Sequence, residues 1–271
     1  MLFPAYYEIT TSTKKGLKGF KMSIVIVTGG SRGLGKSMSL YLAKKGYDII
    51  LTYKNKKAEA EEVIDAIEKI GNKALALQLD VSNHKTFSNF VENVKEGLTR
   101  KWETDKFDIL INNAGIGIHA SFMETTEEQF DQLMNTHFKG TFFLTQKLIP
   151  LMKDGGRIVN ISSGLTRFSL PGYSAYAAMK GAVEVLTRYM AKELGPRNIA
   201  VNTIAPGAIE TDFGDGSVRD NKELNAFIAS LTALGRVGLP DDIGGAVATI
   251  VSEDNRWING QRLEVSGGIF L

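Results

Sequence analysis

From Ser23 onward, short apolar runs rich in β-branched residues alternate with stretches of helical periodicity, and this alternation constrains the fold more than any other feature. "SIVIVTG" is followed by "GKSMSLYLAKKG", "YDIILTY" by "KKAEAEEVIDAIEKIG", and "KALALQLDVS" by "KTFSNFVENVKEGL". "FDILINNAG", "GRIVNISS", "NIAVNTIAPG" and "QRLEVSGG" continue the strands, with "EEQFDQLMNTHFKGTFFLTQKLIPLM", "AYAAMKGAVEVLTRYMAKELG" and "DDIGGAVATIVS" between them. Strands apolar on both faces and separated by helices require a parallel sheet covered on both sides. With no repeat and no low-complexity linker, residues 22–271 read as one doubly wound α/β domain.

Composition narrows the functions such a domain can serve. A net charge of +2 gives no basis for a polyanionic partner, so nucleic acid is not expected. No apolar run is long enough to span a bilayer, and no membrane partner is expected. The absence of cysteine excludes disulfides, thiolate metal sites and cysteine nucleophiles, and it fits a cytoplasmic protein. Residues 1–21 lack both the apolar core and the cleavage pattern of a secretory signal, and they precede Met22, which opens into the first strand-like run. They read as an extension from an upstream start or as added sequence, with a strand or arm docked on the domain as the other reading.

"VTGGSRGLGKS" follows the first strand and opens the first helix. Gly29, Gly33 and Gly35 let the backbone turn sharply and approach a ligand, and the helix N-terminus then faces an anion. Residues 211–235, "TDFGDGSVRDNKELNAFIASLTALG", interrupt the strand–helix rhythm with apolar residues scattered among charges. A long connection with its own amphipathic pattern reads as a substrate-binding loop or lid.

The spacing Thr-Gly-x-x-x-Gly-x-Gly, "NNAG" at residues 112–115 and Tyr176-x-x-x-Lys180 together resemble the short-chain dehydrogenase/reductases, particularly their 3-oxoacyl-[acyl-carrier-protein] reductase-like branch. Asp80-Val81, Ser163, "NTIAPGAIET" and "WINGQRLEVSGG" extend the resemblance from about Met22 to the C-terminus. It implies a Rossmann-like domain, a nicotinamide dinucleotide cofactor and a homotetramer. It also implies cofactor contacts at Gly29, Ser31, Arg32, Gly33 and Leu34 in the glycine loop, and at Tyr53 and Lys54 after the second strand. Asp80 and Val81 would touch adenine, and Asn112, Ala114 and Gly115 would line the middle of the cofactor. Pro206, Gly207, Ile209 and Thr211 would hold the nicotinamide amide, and Lys180 the nicotinamide ribose. The second strand ends "TYKN" with no carboxylate to accept a ribose 2′-hydroxyl, while Arg32, Lys54, Lys56 and Lys57 stand near a 2′-phosphate position; NADP is therefore expected over NAD.

In "YSAYAAMKG" the helical period puts Tyr176 beside Lys180 and Tyr173 beside Ala177, so Tyr176 is the phenol to which chemistry is assigned. A free phenol has a pKa of about 10, and the Lys180 cation is expected to favour its ionisation. Tyr176 would protonate a carbonyl oxygen as hydride arrives at carbon, or take the alcohol proton in reverse, while Ser163 hydrogen-bonds that oxygen. Tyr173 would line the substrate pocket. The expected function is hydride transfer between NADP(H) and a small carbonyl or secondary alcohol. A 3-oxoacyl thioester, sugar, steroid, quinone or xenobiotic ketone would each serve, although Asp154 stands where relatives that dock a carrier protein tend to have a basic residue. His137 occupies the place of an asparagine usual in the family; it is the one feature favouring the alternative of a cofactor-binding sensor or scaffold with little turnover. His84 and His119 show no metal-ligand pattern.

Overall fold

The computed structural model describes residues 23–271; the extension expected at residues 1–21 lies outside them. Seven parallel strands form one sheet in the order β3-β2-β1-β4-β5-β6-β7. They are β1 (Ile24–Val27), β2 (Asp48–Tyr53), β3 (Ala74–Gln78), β4 (Phe107–Asn112), β5 (Met152–Ile161), β6 (Ala200–Pro206) and β7 (Arg262–Val265). Helices α1 (Gly33–Lys44), α2 (Lys57–Lys69) and α9 (Pro240–Ile250) cover one face. Helices α3 (Phe87–Trp102), α5 (Gly140–Leu148) and α6 (Ser174–Glu193) cover the other.

The two faces follow from strand alternation. In β1, Val25 and Val27 point into a core with Met38 and Leu42 of α1 and Val247 of α9. Ile24 and Ile26 point into the opposite core, with Phe90 and Val94 of α3 and Leu144 and Leu148 of α5. Because both faces are buried, slipping a strand by one residue would exchange two apolar surfaces rather than expose one. A buried polar chain adds the missing register information. Asn112 Nδ2 donates to Asn160 Oδ1 and to Thr145 Oγ1, each at 2.9 Å. Asn160 Nδ2 donates to Thr187 Oγ1 at 2.8 Å, and Thr203 Oγ1 donates to the same hydroxyl at 2.9 Å. A slip would leave several of these groups buried and unpaired, at about 1–3 kcal/mol each.

Strand order reverses between β1 and β4, so a crevice opens beyond the C-terminal ends of those strands. Helix α4 (Glu127–Leu133) begins with Thr126 and Gln129 in a reciprocal capping box. Between α4 and α5 the helix does not continue in α-geometry; Met134–Lys139 form a π-helical turn. The residues expected to form a lid fold as two short helices, α7 (Ser217–Asp220) and α8 (Lys222–Ser230). Ile228, Val237 and Ile269 anchor them in a small core of their own, against Phe168, Val218 and Leu224.

Candidate active site

The glycine loop joins β1 to α1 at the crevice. Gly29 has φ 64° and Gly33 φ 52°, so both turn through left-handed backbone. A Cβ at Gly35 would collide with the Gly29 carbonyl oxygen, so only glycine lets the first turn of α1 close on the loop. Arg32 caps α1 in extended conformation without a side-chain bond to the helix amides, and the first turn carries no acidic residue. Its amides are therefore free of a side-chain cap at a dipole end that favours negative charge, which fits a dinucleotide's phosphates. Ser31 is buried, and Leu34 packs on the core beneath the loop.

The loop is held by residues that sequence reasoning did not single out. Thr52 Oγ1 accepts from the Gly29 amide at 3.0 Å. Thr28 Oγ1 accepts from the amides of Asn113 and Ala114 at 2.9 and 3.0 Å. Asn113 Nδ2 donates to the Thr28 carbonyl at 2.9 Å. Thus Asn113, not Asn112, ties the "NNAG" turn to the glycine loop; the Asn112 amide belongs to the buried polar chain. Strand alternation carries the signal, since consecutive side chains at the end of β4 face opposite ways.

Around the expected adenine end, Lys54 Nζ lies 2.8 Å from Asp80 Oδ2. Burial pushes the Asp80 carboxyl up, but hydrogen bonds from Lys54 and Ser82 outweigh it and leave the group below its ordinary value. Val81 is buried beside it, and Tyr53 is half-buried at the end of β2. Arg32 Nη1 lies 3.4 Å from Asp212 Oδ2, an exposed pair of the kind that contributes little to stability. At the other end, β6 finishes at Pro206, and the Gly207 amide donates to the Val265 carbonyl at 3.1 Å. Ile209 packs on the core, and the Thr211 side chain would lie 3.7 Å from a Cβ at Gly33, so this segment closes over the glycine loop.

Tyr176 and Lys180 lie on the buried face of α6, at 7% and 5% exposure. Lys180 Nζ donates to the Ile161 carbonyl at 2.7 Å and lies 5.7 Å from the Tyr176 ring centroid. Ser163, at the end of β5, bonds the Leu165 amide through its hydroxyl, which accepts at 3.2 Å. Burial drives the Tyr176 phenol well above its ordinary pKa, and the Ser163 hydroxyl opposes that only in part. Burial also lowers Lys180 to about 7. The expected lowering of the phenol by Lys180 is therefore not what the geometry produces: desolvation dominates, and it weakens the lysine's own charge. Tyr173 stands at the start of α6 and meets His119 edge-on, with ring centroids 5.0 Å apart.

His137 lies in the π-helical turn, 2% exposed, with its ring perpendicular to that of Tyr176 at 5.2 Å. Its Nε2 faces the Ile116 backbone, 2.8 Å from the carbonyl and 3.3 Å from the amide, and the tautomer decides which of the two it bonds. Its Nδ1 is buried with no partner among the described residues. Burial, followed by the nearby Lys180, holds the imidazole well below its usual pKa, so it is neutral at neutral pH. A Cβ at Gly115 would stand 2.7 Å from His137 Cε1, so the turn and the histidine fit against each other.

The glycine loop at the switch point, the "NNAG" turn bound to it, and Tyr176 and Lys180 behind them lie together at one place in the fold. A family model described as Enoyl-(Acyl carrier protein) reductase matches residues 29–269. A short-chain dehydrogenase/reductase of Pestalotiopsis microspora is 34% identical over 256 residues, covering 90% of this chain and 94% of its own. The chain belongs to the short-chain dehydrogenase/reductase family. Among other members, a hydroxynaphthalene reductase-like protein of Metarhizium brunneum is 34% identical over 267 residues, covering 94% of this chain and 97% of its own. The angucycline C-6 ketoreductase LanV, solved with bound NADP, superposes with a TM-score of 0.87 at 34% identity, covering 92% of this chain and 95% of its own. This short-chain dehydrogenase/reductase is thus an oxidoreductase built like known ketoreductases. No described helix is long and apolar enough to cross a membrane.

Proposed function

We propose that the protein reduces a carbonyl to a secondary alcohol with NADPH, Tyr176 serving as the proton donor. The observation that carries this reading is the pairing of Tyr176 and Lys180 on one buried face of α6, with the Ser163 hydroxyl at the phenol. NADPH, when bound, supplies the hydride. The uncapped N-terminus of α1 would hold its phosphates, Asp80 and Val81 would flank the adenine, and residues 206–211 the nicotinamide. Arg32 and Lys54, with no carboxylate at the end of β2, favour the phosphorylated cofactor, and the NADP bound by LanV supports that choice.

The Ser163 hydroxyl donates to the carbonyl oxygen and orients it. As charge develops there, the phenol releases its proton, and the cationic form of Lys180 stabilises the phenolate. A phenol that burial keeps protonated suits reduction, because the acid is present before the oxygen becomes basic.

Phe142 and Phe143 of α5 and Val185 and Tyr189 of α6 are exposed. Exposed apolar side chains on α5 and α6 support self-association, read as a homotetramer, which light scattering at micromolar protein would report. Turnover is tested with a panel of carbonyls and NADPH or NADH separately, following the absorbance of the reduced nicotinamide. No oxidation of either cofactor by any carbonyl would refute the reading.

A further inference from the structure

The residues around Ser163 converge on one charged pair that the proton transfer described above does not use. Glu184 follows Lys180 by four residues on α6, so Tyr176, Lys180 and Glu184 succeed one another at one-turn spacing. Glu184 Oε1 accepts from Ser162 Oγ at 2.7 Å and from Thr166 Oγ1 at 2.8 Å. Arg262 of β7 completes the set. Its Nε donates to the same carboxylate oxygen at 2.8 Å, and its Nη2 lies 3.1 Å from the Thr166 hydroxyl and 3.3 Å from the Ser163 carbonyl, donating to both. The two side chains are mostly buried, at 13% exposure for Glu184 and 25% for Arg262.

What this pair holds is the turn that aims Ser163. Gly164–Thr166 form one 3-10 turn with Ser163 as its N-cap, and the Ser163 hydroxyl accepts from the Leu165 amide at 3.2 Å. With that lone pair engaged, the direction of the hydroxyl proton depends on where the Leu165 amide sits. The turn that carries the amide is fastened on one side at the Ser163 carbonyl and on the other at the Thr166 hydroxyl. Because Glu184 belongs to α6, the fastening runs to the same helix that carries the phenol.

Stability alone is a weak reason for such a pair. Buried ion pairs can often be replaced by apolar side chains of similar volume without loss, because desolvation offsets the attraction. Nor would its removal orphan the neighbouring groups. Thr166 Oγ1 also lies 2.9 Å from the Ser163 carbonyl, Ser162 Oγ lies 3.4 Å from the Lys180 carbonyl, and Glu264 keeps its bonds from Arg167. What apolar side chains cannot supply is direction.

We propose that Glu184 and Arg262 are positioning residues, which set the Ser163 hydroxyl against the Tyr176 phenol by fastening the turn after β5 to α6 and β7. The inference rests on the carbonyl-reductase reading and deepens it.

The test variant is Glu184→Leu with Arg262→Met, made in the wild-type and Ser163→Ala backgrounds and checked by thermal unfolding. Kinetics are measured with NADPH and the ketone that wild type reduces fastest. NADPH binding is followed by fluorescence titration, and amide hydrogen exchange over residues 162–168 by mass spectrometry. The double variant should unfold close to wild type, with kcat lower by about ten- to a hundredfold, the scale of a misplaced catalytic group, and KM and NADPH affinity within about twofold. In Ser163→Ala no hydroxyl remains to be aimed, so the same two substitutions should cost less than about twofold more. Glu184→Gln, whose amide oxygen still accepts from the three donors, should recover most of kcat. Exchange over residues 162–168 should quicken by about tenfold in the double variant and stay unchanged in α1. If the double variant unfolds early, Arg262→Met alone enters the same cycle with Ser163→Ala. An equal loss of kcat with and without the Ser163 hydroxyl, or exchange indifferent to the pair, would overturn the proposal while leaving carbonyl reduction standing. Faster exchange in the variant of a protein whose wild type reduces no carbonyl would keep the fastened turn and sink the reductase reading.

Discussion

Replacing His137 with asparagine gives a prediction whose size follows from the site. The imidazole is neutral in the folded protein because burial, and then Lys180, hold its pKa well below 6.5, whereas in the unfolded chain it titrates near its ordinary value. As pH falls below about 6.5, the unfolded state takes up a proton that the folded state refuses, so stability declines. The slope approaches about 1.4 kcal/mol per pH unit and persists down to the folded pKa. Asparagine does not titrate, and the protein's other ionisable groups are common to both variants. Between pH 7.5 and 5.5 the stability of His137→Asn relative to wild type should therefore rise, by at most about 1.4 kcal/mol. Urea unfolding of both proteins at fixed protein concentration measures this difference directly. The reduction rate should follow, with an acidic limb in wild type that is flattened in His137→Asn. His137→Ala instead removes the side chain that bonds the buried Ile116 backbone, at about 1–3 kcal/mol, and should also lose turnover. A stability gap that is the same at both pH values, with an unchanged pH–rate profile for His137→Asn, would mean that His137 is not a buried neutral group.

Tyr176→Phe removes one hydroxyl and should abolish most turnover while NADPH still binds, whereas Tyr173→Phe should be mild; equal losses in steady-state kinetics would place the proton donor elsewhere. Arg32→Ala should weaken NADPH by about 1.5–3 kcal/mol and barely affect NADH, since only the former offers a second phosphate to the guanidinium. Fluorescence titration with each cofactor decides this, and equal weakening would make Arg32 a loop-positioning residue. Gly35→Ala should eliminate binding of both cofactors, because the added methyl collides with the Gly29 carbonyl oxygen; near-normal titrations would show that the loop yields.

Much of this was legible in the sequence because the information is local. The glycine loop, the β1–α1 boundary and the shared face of Tyr176 and Lys180 depend on neighbours within a turn or two. Asn113 and Thr28 were not legible, because the bond between them joins residues 85 apart and its meaning appears only when β1 and β4 lie side by side. The helical period placed Lys180 beside Tyr176, but not the depth of burial that reverses the expected shift of the phenol. His137 stood out as a departure; that it bonds Ile116 depends on a π-helical turn with no compositional mark in "MNTHFK".

That turn also sets how the chain tolerates changes in length. A π-turn holds one residue more than the α-helix around it, so removing one residue from positions 134–139 would restore a continuous α-helix with good backbone bonds. The faces of α4 and α5 would stay close to where they are, because the wide turn already absorbs its additional residue within one turn. The loss would be the local widening that holds His137, and with it the ring's contact with the Ile116 backbone and its fit against Gly115. A shortening that spares both helices and the core would still reach the site, so the additional residue between Thr126 and Gly140 is as much a part of this protein's chemistry as the side chains along it.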